Sequence, residues 1–200
     1  MQAAMQEDPR EFELLLGGRH AAAAGPHKSV NVHAVMWYGY GRGGDRDVDW
    51  GCLYRSVQNA CKALGMRVPS LTHLVEDVAH RKMGQWGEPG MFISFFKRAG
   101  VDVQAVVLHN ASCIRFTKRV GYEHLANLPA HFWDPAYTYV VDNGTSAYAV
   151  VPSGGKLWWI DPHVVYPATP KPVHFAYAHH MAHDPHREGW MILKLHRDKR

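Results

Sequence analysis

Cysteine is scarce in this chain: three occur in 200 residues, Cys52, Cys61 and Cys113. That number does not build the disulfide framework of a small secreted domain, and a free thiol is kept in a reducing, cytoplasmic setting. Long apolar runs are missing too. No window approaches the roughly 20 apolar residues that a membrane-spanning helix needs, so direct membrane insertion is not expected. Leu14 to Leu16 gives no apolar stretch of signal-peptide length. The formal net charge of +4 raises the question of nucleic acid. Lys and Arg are nevertheless scattered except for Arg197, Lys199 and Arg200, with neither zinc-finger spacing nor a basic helix, so no nucleic-acid partner is expected. Gly41, Gly43 and Gly44 are not followed by the Gly-Lys-Ser or Gly-Lys-Thr of a phosphate-binding loop, which argues against nucleotide binding. No internal repeat is visible.

What is present is enough apolar sequence, 46% of 200 residues, for one domain with a sizeable core. Residues 1 to 28 mix acidic and basic groups with Ala21 to Ala24, Gly25 and Pro26, and read as a flexible tail ahead of a folded domain over 29–200. Apolar alternation predicts an extended segment from Val30 to Trp37, followed by a glycine-rich loop from Gly39 to Asp49. Ser70 could cap a helix with Leu71, Leu74, Val75 and Val78 on one face, and a further helix runs from about Met91 to Arg98, closed by Gly100. Strand patterns cover Val101 to Leu108, Tyr137 to Asp142, Ala147 to Val151, Lys156 to Ile160 and Trp190 to Leu195. Asn143-Gly144 and Gly154-Gly155 join three of these as hairpins, which predicts an antiparallel meander.

The cysteine at position 52 stands in Asp49-Trp50-Gly51-Cys52-Leu53-Tyr54-Arg55-Ser56-Val57-Gln58. Leu53, Val57, Ala60, Cys61 and Leu64 fall on one face of a helix that Gly65 ends, so Cys52 sits at its N-terminus. Unpaired backbone N–H groups and the positive end of the macrodipole favour a thiolate there and supply donors for a negatively charged oxygen. Taken alone, such a cysteine reads as a small buried hydrophobe sooner than as a nucleophile. Cys61 lies about 13 Å further along the same helix, half a turn out of phase, and reads as core. Cys113 gives no signal beyond a buried thiol.

A second element shifts the balance: Leu157-Trp158-Trp159-Ile160-Asp161-Pro162-His163, an apolar run ending in an acid and an imidazole. In an extended backbone residues i and i+2 point to one side, and Pro162 biases Asp161 toward that conformation. Asp161 and His163 are therefore expected to project together as strand neighbours. A carboxylate beside an imidazole holds its tautomer and stabilises the imidazolium formed when it takes a thiol proton.

Trp-Gly-Cys followed by Tyr-Arg-Ser and a Gln, with Asp-Pro-His downstream, resembles the cysteine proteases specific for the ubiquitin-fold modifier, the UfSP family, related to autophagins. The match runs in order over roughly residues 30 to 196. In that family a tyrosine twelve residues before the cysteine helps form the oxyanion hole, and here that position is Tyr40 in Trp37-Tyr38-Gly39-Tyr40-Gly41. The resemblance implies Cys52 as nucleophile, His163 as general base, Asp161 as its orienting acid and Tyr40 as oxyanion donor beside the Cys52 N–H. It also implies an α+β, papain-like cysteine protease fold, with the nucleophile helix packed on an antiparallel sheet. Three features depart from the family pattern: Leu53 in place of a small residue, Val164 where an aromatic often follows the histidine, and no histidine within Asp142 to Ser146.

Several residues admit two readings. Asp184-Pro185-His186 repeats the tripeptide, but it follows His174, His179, His180 and His183 in a stretch with weak strand character, so Asp161 and His163 are preferred. The histidine-rich stretch matches no standard metal spacing, and the chemistry requires neither metal nor cofactor. Asp134 and Asp142 are other acids that could orient a histidine or simply mark turns. Trp50 could wall a cleft for a glycine-ended tail or pack under the loop. Trp86, in Gly84-Gln85-Trp86-Gly87-Glu88-Pro89-Gly90, could face substrate or plug the core, whereas Trp158 and Trp159 read as sheet core.

The expectation is a monomeric thiol protease that cleaves after the C-terminal glycine of a ubiquitin-like modifier, for precursor maturation or release from lysine. The ubiquitin-fold modifier is the expected partner. Ubiquitin or an autophagy modifier would be the substrate of a nearby alternative, and a catalytically silent modifier-binding protein is an alternative of another class.

Overall fold

The computed structural model of the protein describes residues 30–109, 133–175 and 189–197. The expected tail, Cys113 and the second Asp-Pro-His lie outside the described residues. Six strands form one antiparallel sheet: β1 (Asp102–His109), β2 (Thr138–Asp142), β3 (Ala147–Ser153), β4 (Lys156–Ile160), β5 (Val173–His174) and β6 (Gly189–His196). Their order is β1-β6-β2-β3-β4-β5. The meander expected from the turn signals is β2-β3-β4. Gly154 and Gly155, both at positive φ, close the β3–β4 hairpin in the left-handed conformation that such a two-residue turn demands. At the β2–β3 turn the Asn143 side chain accepts the N–H groups of Thr145 and Ser146. The last strand inserts between β1 and β2, pairing Leu195 with both Val103 and Thr138.

The strand period of two sorts side chains onto both faces. Val140, Ala147, Leu193 and Leu195 face a core shared with the helices. Tyr139, Val141, Val150, Trp159 and Ile192 build a second core on the opposite side. The valines, leucines and isoleucine among them each stabilise the fold by about 1.5–3 kcal/mol when fully buried.

Helix α1 (Cys52–Ala63) packs on β2 and β3. It ends as the sequence indicates: Gly65 is left-handed at φ 65°, and the Met66 N–H reaches back to the Cys61 carbonyl at 2.9 Å. Cys61 is buried in this helix, and burial pushes its thiol up to about 12. The periodic pattern predicts one apolar face, but every residue from Cys52 to Cys61 is buried. The polar face is covered because it bonds the preceding loop and its neighbours. Asn59 accepts the Tyr38 N–H at 2.7 Å and donates to the Tyr38 carbonyl at 3.0 Å. Gln58 donates to the Pro69 carbonyl at 2.8 Å.

Ser70 accepts the His73 N–H at 3.1 Å, starting a turn that widens into a π-helix over His73–Val78. A 3-10 turn, Pro89–Phe92, runs into α2 (Ile93–Arg98). Val30 to Trp37 departs from its expectation, because it forms a turn with the Ala34 N–H on the Asn31 carbonyl rather than a strand. Its apolar spacing serves two anchors, Val32 and Trp37. Both are buried beside Ala149, Val151 and Ile160, and the Trp37 indole N–H bonds the Val32 carbonyl at 2.9 Å. Among the described residues no helix is long and apolar enough to cross a membrane.

Candidate active site

The chain reaches Cys52 through a tight turn. The N–H of Gly51 donates to the Asp47 carbonyl at 2.8 Å, and a Cβ at Gly51 would lie 2.6 Å from Asp47 Cβ and Oδ2. Glycine between Trp50 and Cys52 is thus a requirement of close approach, and Asp49 turns left-handed at φ 73° to make it. Helix α1 starts at Cys52, whose N–H is among the amides without an intrahelical acceptor. The Cys52 side chain is 1% exposed.

Strand β4 delivers the acid and the base. Immediately after Ile160 the chain turns, so Asp161 and His163 are not the extended i, i+2 neighbours that the sequence suggested. They meet because Asp161 Oδ1 accepts the His163 backbone N–H at 3.0 Å and pairs with His163 Nδ1 at 2.5 Å. The short Asx-type turn achieves what strand alternation was expected to do.

Tyr40 is laced to that turn through its backbone. Its N–H is shared between the carbonyls of Pro162 at 3.2 Å and Val164 at 3.0 Å, its carbonyl accepts the Tyr166 N–H at 2.8 Å, and it bridges Val165 in parallel. Gly39 permits this approach, since a Cβ there would collide with the Val164 carbonyl.

Four groups converge as a result. The His163 ring is paired with Asp161 and neighbours Cys52. Tyr40 meets the His163 ring edge to face at 5.4 Å, with Cys52 neighbouring its phenol. Burial by itself pulls the His163 pKa down, but the bond to Asp161 and the neighbouring Cys52 outweigh it and raise the imidazole to about 9. Burial, then the neighbouring Cys52, pushes the Tyr40 phenol upward, so it stays a protonated donor. A thiol, a neighbouring base, an acid orienting that base and a donor beside the thiol form the arrangement that nucleophilic acyl transfer uses.

Around this centre Trp50 is half-buried; its indole N–H donates to the Arg46 carbonyl at 2.9 Å and its ring meets Tyr54 edge-on at 5.8 Å. Trp86 is 49% exposed and does not plug the core. Its loop is held to α1 by the Tyr54 hydroxyl donating to the Gln85 carbonyl at 3.1 Å. Asp134 and Asp142 accept the N–H groups of Ala136 and Gly144 in turns. Trp159 is core, whereas Trp158 is half-buried between the rings of His33 and His174. His179, His180, His183 and His186 lie outside the described residues.

Two contributors carried no signal of their own. Tyr148 lies tilted against the His163 ring at 5.3 Å, and a tyrosine in a strand reads only as core. Asp47 is fully buried and holds Arg55, yet it lies in a stretch of alternating charge that reads as solvated loop.

No family model matches the chain, and no curated protein matches it by sequence. Among solved structures it is similar to the crystal structure of UfSP from C. elegans, with a TM-score of 0.52 and 15% sequence identity. That similarity covers 82% of this chain and 33% of the C. elegans chain, so this protein spans about a third of its relative's length. A helix led by a cysteine and packed on a six-stranded antiparallel sheet is the UfSP-like, papain-like fold, and this chain has it.

Proposed function

We propose that the protein is a thiol protease that cleaves after the C-terminal glycine of a ubiquitin-like modifier, with the ubiquitin-fold modifier as substrate. The observation that carries this reading is the Asp161–His163 pair set beside Cys52 at the start of its helix, with the Tyr40 ring edge-on to the same imidazole. The Trp-Gly-Cys and Asp-Pro-His motifs and the fold shared with UfSP support the choice of modifier.

In this mechanism His163 holds the thiol proton while Cys52 Sγ forms a bond to the scissile carbonyl carbon. The carbonyl electron pair moves onto oxygen, which takes hydrogen bonds from the Cys52 N–H and the Tyr40 hydroxyl. The C–N bond then breaks, and His163 gives its proton to the departing amine. Water adds to the thioester and passes a proton to His163; the C–S bond breaks, freeing the glycine carboxylate and restoring the thiol. Trp50 walls the cleft, and Trp86 contacts the modifier from the loop that Tyr54 holds. The direct test compares cleavage of ubiquitin-fold modifier, ubiquitin and autophagy-modifier fusions, with Cys52→Ala as control. Cysteine-dependent cleavage of the first alone is expected, and cleavage of another instead would reassign the substrate.

A further inference from the structure

The two oxyanion donors of this mechanism stand on separate segments. The loop between them contains Gly41, Gly43 and Gly44, all at positive φ. One buried residue contacts both ends. Asp47 Oδ1 accepts the N–H of Gly41, the residue after Tyr40, at 2.6 Å, while the Asp47 carbonyl accepts the N–H of Gly51, the residue before Cys52, at 2.8 Å. The other carboxylate oxygen takes Arg55 Nε at 2.6 Å. Arg55 is itself buried in α1, one turn below Cys52, and its remaining nitrogens bond Asp45 Oδ2 at 2.9 Å, the Arg42 carbonyl at 3.1 Å and Gln58 Oε1 at 3.0 Å.

We infer that Asp47, braced by Arg55, is a positioning residue that sets the Tyr40 hydroxyl against the Cys52 amide. The inference rests on the reading of Cys52 as nucleophile and Tyr40 as oxyanion donor. A buried ion pair is a poor device for stability alone, since well-packed apolar residues often do as well. This pair does something packing cannot: Oδ1 and the carbonyl of Asp47 tie together the two ends of the loop, and Oδ2 ties the loop to the helix through Arg55. Arg55 supplies a planar fork that a lysine does not reproduce. The sequence Tyr-Arg-Ser-Val-Gln after the cysteine thereby acquires a physical role, with Arg55 and Gln58 as the helix half of the brace.

Asp47→Asn keeps the shape but offers one acceptor oxygen to two donors, so either Gly41 or Arg55 faces an amide. Turnover of a ubiquitin-fold-modifier fluorogenic amide is measured for Asp47→Asn and Arg55→Lys, each in the wild-type and Tyr40→Phe backgrounds, with thermal melts to verify folding. In the wild-type background kcat is expected to fall about tenfold to a hundredfold, with KM within about twofold. In the Tyr40→Phe background the further loss should shrink to about twofold or less, because the donor being positioned is gone. The same multiplicative loss in both backgrounds, or unchanged kcat in the wild-type background, would overturn the positioning role. If Asp47→Asn does not fold, Arg55→Lys decides the matter by the same comparison. Undiminished turnover in Cys52→Ala would instead overturn the underlying functional reading, and the inference with it.

Discussion

Oδ1 of Asp161 binds His163 twice, through the backbone N–H at 3.0 Å and through ring Nδ1 at 2.5 Å. The carboxylate thus fixes both where the imidazole is anchored and which nitrogen it turns toward Cys52. An acid that only stabilised charge would need the second contact and not the first.

Asp161→Asn is therefore expected to lower kcat by about a hundredfold or more, because an amide can hold the backbone N–H yet no longer stabilises imidazolium. Steady-state kinetics with Asp161→Asn and Asp161→Ala check this. Equal activity of Asp161→Asn and wild type would show that the charge has no part in turnover.

The pH dependence follows from His163, which stands at about 9 against an ordinary 6.5. A group whose pKa rises on folding binds its proton more tightly in the folded state. Its stabilising contribution is complete below 6.5 and is lost as pH rises through about 9. The stability difference between wild type and His163→Ala, from urea melts, should accordingly shrink across that window. Turnover needs imidazolium to protonate the leaving amine, so its alkaline limb falls near pH 9 and moves downward in Asp161→Asn.

Gly51→Ala puts a methyl group against Asp47 Cβ, Oδ2 and carbonyl oxygen, all within 2.8 Å. Backbone must shift to admit it. We expect a loss of about 1–3 kcal/mol in denaturant unfolding, together with reduced turnover. Gly44→Ala has open space but a positive φ, so its cost is backbone strain without collision at the site.

Trp86→Ala should leave unfolding free energy within about 0.5 kcal/mol, because the side chain is half exposed. If Trp86 touches the modifier equally in ground and transition states, KM rises while kcat holds. A fall in kcat with KM unchanged would move Trp86 from binding into the chemistry.

Much of the frame was legible because its periods are simple. Helix α1 and strands β2, β3 and β4 lie close to where apolar spacing, Gly65, Asn143-Gly144 and Gly154-Gly155 put them. The pairing of Asp161 with His163 was also legible, though for a mistaken reason: a side-chain-capped turn, not strand alternation, brings them together. Non-local relationships were out of reach. Nothing in Trp190 to Leu195 tells a terminal strand to insert between β1 and β2, and two-residue β5 is too short to show a period. Val30 to Trp37 alternated like a strand because two of its side chains needed burial, not because a partner strand awaited it. The brace from Asp47 to Arg55 was hidden because charged residues in a loop read as solvated until a helix covers them.

The most direct test of the central claim is covalent capture by a ubiquitin-fold modifier carrying a C-terminal electrophile, compared in wild type and Cys52→Ala. The account predicts a single adduct on Cys52 of the wild type, none in the variant, and weaker capture by ubiquitin or autophagy-modifier probes. Absence of any adduct, or an adduct that persists in Cys52→Ala, would contradict it.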